Sequence, residues 1–266
     1  MRDTETQNVS GFLCVSLWLI ALGLAGHADF HHGLPGLADA TDRLTRTVHL
    51  TPSTPISVDA TIAELTITGS NRTDVVVDIL RHAPSAADLA RYPAVVDERP
   101  DALHISAIQV GDGRDAKLKT QIGISAPSEA VFQAIRVFEG RVKVTNLKAA
   151  CDVDLRRGAI DATRLAGRVR LEAGIGSLDL KQPDLTPGGM MRLRVFNGPL
   201  RVRFARPPAN ARILAVTLNG TITSDIALTM KDTFGPRFGE TTIGSGEPVM
   251  SMDVVKGDIT ITVNAK

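Results

Sequence analysis

Three aspartates near two arginines are the residues of this sequence whose types and spacing come nearest to a catalytic site. They are Asp152, Asp154, Asp161, Arg168 and Arg170. On one face of a β structure, such carboxylates could hold a cation while an arginine acts as a base on a polysaccharide. A solvated face of mixed charge is the favoured interpretation, and the enzyme is the alternative.

Four arginines form a second charged group. Arg192 and Arg194, then Arg201 and Arg203, alternate with apolar residues. Alternate residues of a strand share one face, so each pair is predicted to project from the same side of its strand. We call these four residues the arginine stripe. It predicts a surface for an anionic envelope polymer or lipid headgroups, against a surface that nearby acids neutralise.

This sequence lacks the residues that several kinds of active site require. No histidine follows His104, so the region beyond it cannot supply a histidine-based triad or zinc site. Ser245 lies between glycines without the spacing of a nucleophile elbow, and no Gly-Lys-Ser or Gly-Lys-Thr phosphate loop occurs. A net charge of +1 argues against bulk nucleic-acid binding. We therefore predict a protein that is not an enzyme and that holds no cofactor or metal.

A nine-residue pattern between residues 140 and 180 predicts the elements that carry these charges. The blocks begin with small residues: Gly140, Ala149, Gly158, Gly167 and Gly176. The third and fifth positions of each block are apolar, from Val142 and Val144 to Leu178 and Leu180. A period of two is typical of half-buried strands, and glycine allows tight bends. Each block is predicted to be one short strand and a turn, and two blocks make one coil.

Beyond residue 180 the step between glycines lengthens, because Gly176, Gly198 and Gly220 lie 22 residues apart. Further strands are predicted at 193–195, 200–204, 213–218, 221–224, 251–255 and 258–263. Asn197-Gly198 and Asn219-Gly220 are typical of two-residue hairpins, so a hairpin meander is the alternative topology. A repeat of about 18 to 22 residues favours stacked coils. The predicted fold class is all-β, a single elongated β-solenoid or β-helix-like domain of short strands.

Stacked coils of 18 residues also predict which charges meet. The opposite-charge pairs would be Asp152 with Arg170 and Lys143 with Asp161; the like-charge pairs would be Asp154 with Glu172 and Asp161 with Asp179. Each favourable pair contributes about 0.2–1 kcal/mol, so the charges nearly cancel. Burial of the apolar columns must therefore drive folding. Cys151, the only thiol beyond the first 28 residues, falls at an inward position and is predicted to be buried.

Three motifs near the C-terminus carry a family resemblance. They are 218–226 (LNGTITSDI), 234–246 (FGPRFGETTIGSG) and 254–261 (VVKGDITI). In this order they resemble the C-terminal signature of the bacterial putative-adhesin domain family, β-strand-repeat envelope proteins of uncharacterised function. The resemblance extends weakly from about residue 48 and strongly over 193–263. It implies a β-solenoid-like fold with no assigned catalytic residues.

The first 28 residues have the layout of a secretory signal peptide. Arg2 precedes an apolar run over 11–26, and Gly26-His-Ala28 matches a cleavage site. An uncleaved N-terminal anchor is the alternative. The predicted location is the periplasm or cell envelope, or outside the cell. After cleavage, Asp29-Phe30-His31 would offer nitrogen ligands suited to Cu(II), against a disordered tail with incidental histidines.

The rest of the chain is predicted to be a flexible leader over 29–44 and one β domain over 45–266. Residues 46–80 are interpreted as its first coils. An irregular excursion at 84–102 would begin with a short helix that Ser85 caps and that ends near Tyr92. A long loop at 229–248 would cover strand edges with Phe234, Pro236 and Phe238, or serve as a binding loop.

These observations predict an exported, non-enzymatic, envelope-associated scaffold or adhesin-like interaction module. The alternative is a polysaccharide-processing enzyme on a β-helix scaffold. The predicted partner is an envelope polymer or another envelope protein, and not nucleic acid. Contact with a membrane is predicted only through an uncleaved N-terminal segment, and self-association through the ends of the solenoid.

Overall fold

The computed structural model describes residues 39–51, 53–109, 118–231 and 235–264. All of them belong to one unit, Leu37–Lys266. The predicted signal peptide and the Asp29-Phe30-His31 segment lie outside the described residues. Within the described part, strands predominate, and seventeen of them pair into a single sheet.

The elements follow the chain in this order. They are β1 Ala40–Val48, β2 Pro55–Ser70, β3 Val75–Ala83, α1 Ala86–Arg91, β4 Val95–Glu98, β5 Leu103–Ala107, β6 Lys119–Pro127, β7 Val131–Thr145, β8 Cys151–Thr163, β9 Arg168–Lys181, β10 Met190–Asn197, β11 Leu200–Phe204, β12 Ala211–Asn219, β13 Ile222–Ser224, β14 Thr229–Lys231, β15 Arg237–Ile243, β16 Val249–Lys256 and β17 Ile259–Val263.

Strands β7, β8 and β9 pair in parallel with an offset of 18 residues. Val142, Ile160 and Leu178 are aligned across the three strands, and all three are fully buried. Each of the ten apolar residues at the third and fifth block positions is buried, among them Cys151 and Leu171. The predicted register and the predicted inward face are therefore confirmed over this region.

Each of these long strands contains two of the predicted blocks, joined at a bend. Gly158 occupies the bend of β8 with φ 130°, a region that side-chain-bearing residues avoid. A Cβ on Gly158 would lie 1.7 Å from the carbonyl oxygen of Gly140, and one on Gly176 would lie 1.7 Å from that of Gly158. The glycines thus form a column in which one backbone packs directly on the next. We call each bent strand, or strand pair, one rung of the stack.

The order of the rungs departs from the order of the chain beyond β9. Strands β10 and β11 pair with β9, and their other neighbours are β16 and β17. Strands β12 and β13 lie beyond β16 and β17. Gly220 therefore packs on Gly257, and Gly257 packs on Gly198. The prediction that Gly198 and Gly220 mark successive coils is wrong, because the last segment of the chain carries the same glycine bend and inserts between them.

The hairpin alternative is also wrong. Strands β10 and β11 flank Asn197-Gly198 but pair with other strands rather than with each other. A type I′ hairpin requires positive φ at both central residues, whereas only Gly198 adopts it here, at 140°. The Asn-Gly pairs mark bends of a rung instead of reversals of the chain.

Two parallel strands, β5 and β6, cover the free edge of the first rung, β2, and antiparallel strands continue the sheet beyond them. On one side β2 pairs with β6, followed by β3 and β1 in antiparallel order; on the other side it pairs with β5, followed by β4. Strand β1 begins at Ala40, inside the predicted leader 29–44, and β3 is antiparallel rather than part of a first coil. The cause is long-range pairing, which local alternation cannot specify. The short helix is confirmed, since Ser85 Oγ accepts a hydrogen bond from the backbone N–H of Asp88.

Antiparallel strands also cover the opposite end of the stack. The predicted loop 229–248 contains β14 and β15, and β15 pairs with β12 from Ala211 to Thr217, all but the last two residues of that strand. The prediction of an irregular loop is wrong here, because backbone groups of β12 that would otherwise lie at an open edge find partners in β15. The segment does cover a strand edge, but it does so through the backbone pairing of β15, and Phe234, one of the three residues predicted to cover it, lies outside the described residues.

Arg81 on β3 ties the helix to the edge strand β1. The buried guanidinium donates from Nε to Asp42 Oδ1 at 2.9 Å, and from Nη1 to the carbonyl oxygens of Leu89, at 3.3 Å, and Tyr92. We expect Arg81→Met to lower the free energy of unfolding by about 2 kcal/mol, since hydrogen bonds to a charged group are lost. Urea unfolding followed by circular dichroism would measure it.

Arg43 provides a matched control for Arg81, because it joins the same two strands through Asp78 but lies in solvent. Arg43→Met should cost much less, since exposed ion pairs contribute little. Equal losses in the two variants would contradict the assigned role of Arg81.

Candidate functional site

The arginine stripe lies on the third rung from the end covered by β15. Arg192 and Arg194 project outward from β10, and Arg201 and Arg203 project outward from β11. Because Gly198 bends the chain between these strands, the two pairs lie on adjoining sides of the rung. The alternation predicted their outward direction, and the bend separates them into two pairs.

Arg203 is a structural residue. Its Nη2 lies 2.6 Å from Asp179 Oδ2, and the Asp179 side chain is only 14% exposed. A carboxylate that is so far withdrawn from water needs a counter-charge, and Arg203 provides it. Arg203 is therefore committed to the fold rather than free to bind a ligand.

Arg192, Arg194 and Arg201 differ from Arg203. None of them forms an ion pair with another residue in the described part of the chain, although Arg194 lies in register with Glu172 on one side and Asp253 on the other. Glu172 is already paired, because Arg170 approaches it to 2.8 Å. Three guanidinium groups thus remain available to an external anion.

A shallow groove of about 290 Å³ borders Arg192 and Arg194. Its other lining residues are Val216, Leu218, Pro236, Asp253, Val254 and Val255. The wall is therefore mostly apolar, with two guanidinium groups and one carboxylate. Such a surface can hold a ligand with both an anionic and an apolar part.

The three aspartates considered for catalysis do not form one site. Asp152 and Asp154 lie before the Gly158 bend of β8, and Asp161 lies after it. Arg170 approaches Asp152 to 3.2 Å, and this carboxylate raises the pKa of the Arg170 guanidinium. The predicted pairing of Asp152 with Arg170 is confirmed, and with it the carboxylate that a cation would need is neutralised.

The remaining predicted charge neighbours are in register as expected. Lys143 lies beside Asp161, and Asp161 lies beside Asp179. Arg141 makes the ion pair with Asp161, at 3.5 Å, so Lys143 was the wrong partner. In each like-charged pair at least one carboxylate is compensated by an arginine: Arg170 approaches Glu172, Arg141 approaches Asp161 and Arg203 approaches Asp179.

One cluster with catalytic residue types was missed by the sequence analysis. His104 Nδ1 lies 2.9 Å from Ser57 Oγ and 3.8 Å from Asp59 Oδ2, because β5 pairs with β2. In a catalytic triad the two ring nitrogens contact different partners, so that a proton can pass through the imidazole. Here both contacts involve Nδ1. Outward alternation was visible in both strands, but nothing local indicated that they would be neighbours.

An open groove of about 1160 Å³ lies on the side of the loops that join the rungs. Asn146, Arg164 and Gln182 line it with backbone φ angles of 60°, 52° and 51°. Left-handed backbone in residues other than glycine costs about 1–3 kcal/mol and is enriched at functional sites. Arg164 Nε donates to Asn146 Oδ1 at 2.5 Å, so two of these polar side chains are bonded to each other, whereas much of the remaining lining is apolar.

Comparison with known proteins finds likeness in structure alone. No family model matches the chain, and no curated protein matches its sequence. A putative cell adhesion protein from Clostridium sporogenes is 10% identical, covers 84% of this chain and 100% of its own, and has a TM-score of 0.50. The chain shares the fold of this Clostridium sporogenes protein. The resemblance stated from the three motifs thus agrees with a solved structure.

Two further solved structures carry similar names. A putative adhesin from Bacteroides fragilis is 16% identical, with 84% of this chain and 97% of that chain covered and a TM-score of 0.43. One from Parabacteroides merdae is 12% identical, with 82% and 80% covered and a TM-score of 0.36. Within the described residues of the present chain, no helix is long and apolar enough to cross a membrane, and no three acidic, histidine or cysteine residues form a metal site.

Proposed function

We propose that this chain is an exported, non-enzymatic β-solenoid that serves as an envelope-associated scaffold or adhesin-like interaction module. The solenoid is supported by parallel rungs that repeat every 18 residues and pack glycine on glycine. Export is supported by the signal-like residues 1–28. Such a stack presents side chains in regular rows, which suits binding to an extended or repetitive surface.

The observation that carries the proposal is the set of three arginines that form no ion pair with any other described residue. Arg192, Arg194 and Arg201 are exposed on one rung, whereas Arg170 and Arg203 each form an ion pair with an aspartate. Leaving three like charges uncompensated on a chain of net charge +1 favours an external anionic ligand. The polysaccharide-processing alternative is less well supported, because Asp152 and Asp161 are each paired with an arginine.

The proposal is tested by capture from the cell envelope. The chain without residues 1–28 is immobilised, isolated envelope from the native cell is applied, and retention is measured at low and high salt. We expect retention at low salt that falls steeply as salt screens the arginines. The variant Arg192→Ser/Arg194→Ser/Arg201→Ser should lose at least about tenfold in retention, since each ion contact contributes up to about 1 kcal/mol.

A variant with the same change in charge separates this surface from net charge. Arg46→Ser/Lys119→Ser/Lys143→Ser also removes three exposed cations that have no ion pair with a described residue, and all three lie on other strands. It should retain binding. If both variants bind like the unmodified protein, or if both lose binding equally, the arginine surface is not the binding site.

A further inference from the structure

A row of residues, most of them exposed, follows the outside of the bends. At each rung it consists of the two residues that directly precede the bend glycine, which lie outside the buried columns. These pairs are 138 and 139, 156 and 157, 174 and 175, 196 and 197, 255 and 256, and 218 and 219, in the order of the rungs from β7 to β12. We call this row the corner ridge. It lies on the convex side of every bend, so a flat surface can reach it.

Large apolar side chains are concentrated on the ridge. Phe196 is 59% exposed, Phe138 and Ile175 are each 51% exposed, and Leu218 is 50% exposed. Ile175, Phe196, Val255 and Leu218 stand on four consecutive rungs, which span about 15 Å at the usual strand spacing. Half of the large hydrophobic residues that the described part exposes are therefore in one row, and a contiguous apolar patch marks an interaction surface.

The charges of the ridge are mostly positive. Arg156, Arg157 and Lys256 belong to it, and Glu139 is its single acid. No ion pair joins these three cations to another described residue, and Arg192, Arg194 and Arg201 flank the same rung as Phe196. An apolar row with cations on both sides is the arrangement by which proteins lie on an anionic membrane surface.

We propose that the corner ridge docks this protein on an anionic lipid bilayer. The inference rests on the proposed function, since it names the envelope component that the arginine surface meets. Phe196, Ile175 and Leu218 enter the interfacial zone, and the flanking cations contact phosphate headgroups. A hydrated anionic polymer would satisfy the cations but would leave the apolar row without a partner, so the bilayer accounts for both observations.

The absence of tryptophan beyond the first 28 residues provides a clean probe. The only tryptophan of the sequence is Trp18, so Phe196→Trp in the chain without residues 1–28 gives a single tryptophan, on the ridge, which can be excited selectively over Tyr92. Val95→Trp is the matched control, because Val95 is 45% exposed on strand β4, away from the ridge. Each protein is mixed with vesicles of phosphatidylcholine alone, or with equal parts of phosphatidylcholine and phosphatidylglycerol.

The expected result is a blue shift of the Phe196→Trp emission with the anionic vesicles alone, and none for Val95→Trp. In co-sedimentation, Phe196→Ser/Leu218→Ser should lower the bound fraction at least about tenfold, since two apolar side chains no longer enter the interface. Val95→Ser/Met190→Ser, which removes two similarly exposed apolar residues that lie outside the ridge, should bind normally. Circular dichroism verifies that all variants fold.

The other outcomes overturn the proposal in distinguishable ways. Vesicle binding without a Phe196→Trp shift would place the contact elsewhere on the protein. Capture by isolated envelope together with no binding to either vesicle would exclude the bilayer and leave the proposed function standing, with a polymer or protein as the ligand. Failure to bind both envelope and vesicles would remove the proposed function as well.

Discussion

Gly158→Ala is expected to prevent the domain from folding, or to lower its free energy of unfolding by more than about 4 kcal/mol. The new Cβ would lie 1.7 Å from the carbonyl oxygen of Gly140. That oxygen belongs to the backbone, so it cannot move aside as the end of a flexible side chain could. The alanine would also have to adopt a φ of 130°, a backbone conformation that residues with a side chain avoid. Losses above about 4–5 kcal/mol are exceptional for one substitution and are comparable to the total stability of many domains. Urea unfolding and the yield of soluble protein would measure the effect.

The substitution Gly235→Ala separates the two causes of that loss, the clash of the Cβ and the strain of the backbone. The φ of Gly235 is 124°, close to that of Gly158, but a Cβ there would have no neighbour within 4 Å. Gly235→Ala should therefore cost only the backbone strain, about 1–3 kcal/mol. If the two variants were equally stable, close packing of glycine on glycine would not be what holds the rungs together.

Leu171→Ala is expected to lower the free energy of unfolding by about 3 kcal/mol, within the range of about 2–5 kcal/mol for such core truncations. Leu171 is fully buried on β9, in register with Val153 of one neighbouring rung and Leu193 of the other. Its removal leaves a cavity between two rungs that cannot close without shifting the backbone ladder. Chemical denaturation with a fitted slope would give the difference directly.

Arg168→Ala is the control on the same strand. Arg168 is exposed and has no ion pair with another described residue, so its replacement should change the free energy of unfolding by less than about 0.5 kcal/mol. A similar loss for Leu171→Ala and Arg168→Ala would mean that the apolar columns do not provide the main stabilisation.

The outward direction of the residues on the candidate surface was predictable from alternation. Which of them form ion pairs was not. Arg192, Arg194 and Arg201 project outward, as a period of two requires. Arg203 obeys the same alternation, yet it is bound to Asp179 of the neighbouring rung. Which arginine is free depends on the reach of long side chains between rungs, and a strand pattern has no information about it. The corner ridge likewise required the bends, because its apolar residues come from five separate strands.

The sequence by itself determined the unit of this structure: a strand of alternating inward residues, a bend where only glycine fits, and an 18-residue return from Gly140 to Gly158 to Gly176. These are local properties, set by side-chain period and by the space at one backbone position. The tertiary structure alone decided the order of the units. Strands β16 and β17 could insert between β10/β11 and β12/β13, and His104 could meet Ser57, because backbone pairing accepts any rung with matching length and inward pattern. Contacts between residues distant in the chain select among those equivalent arrangements.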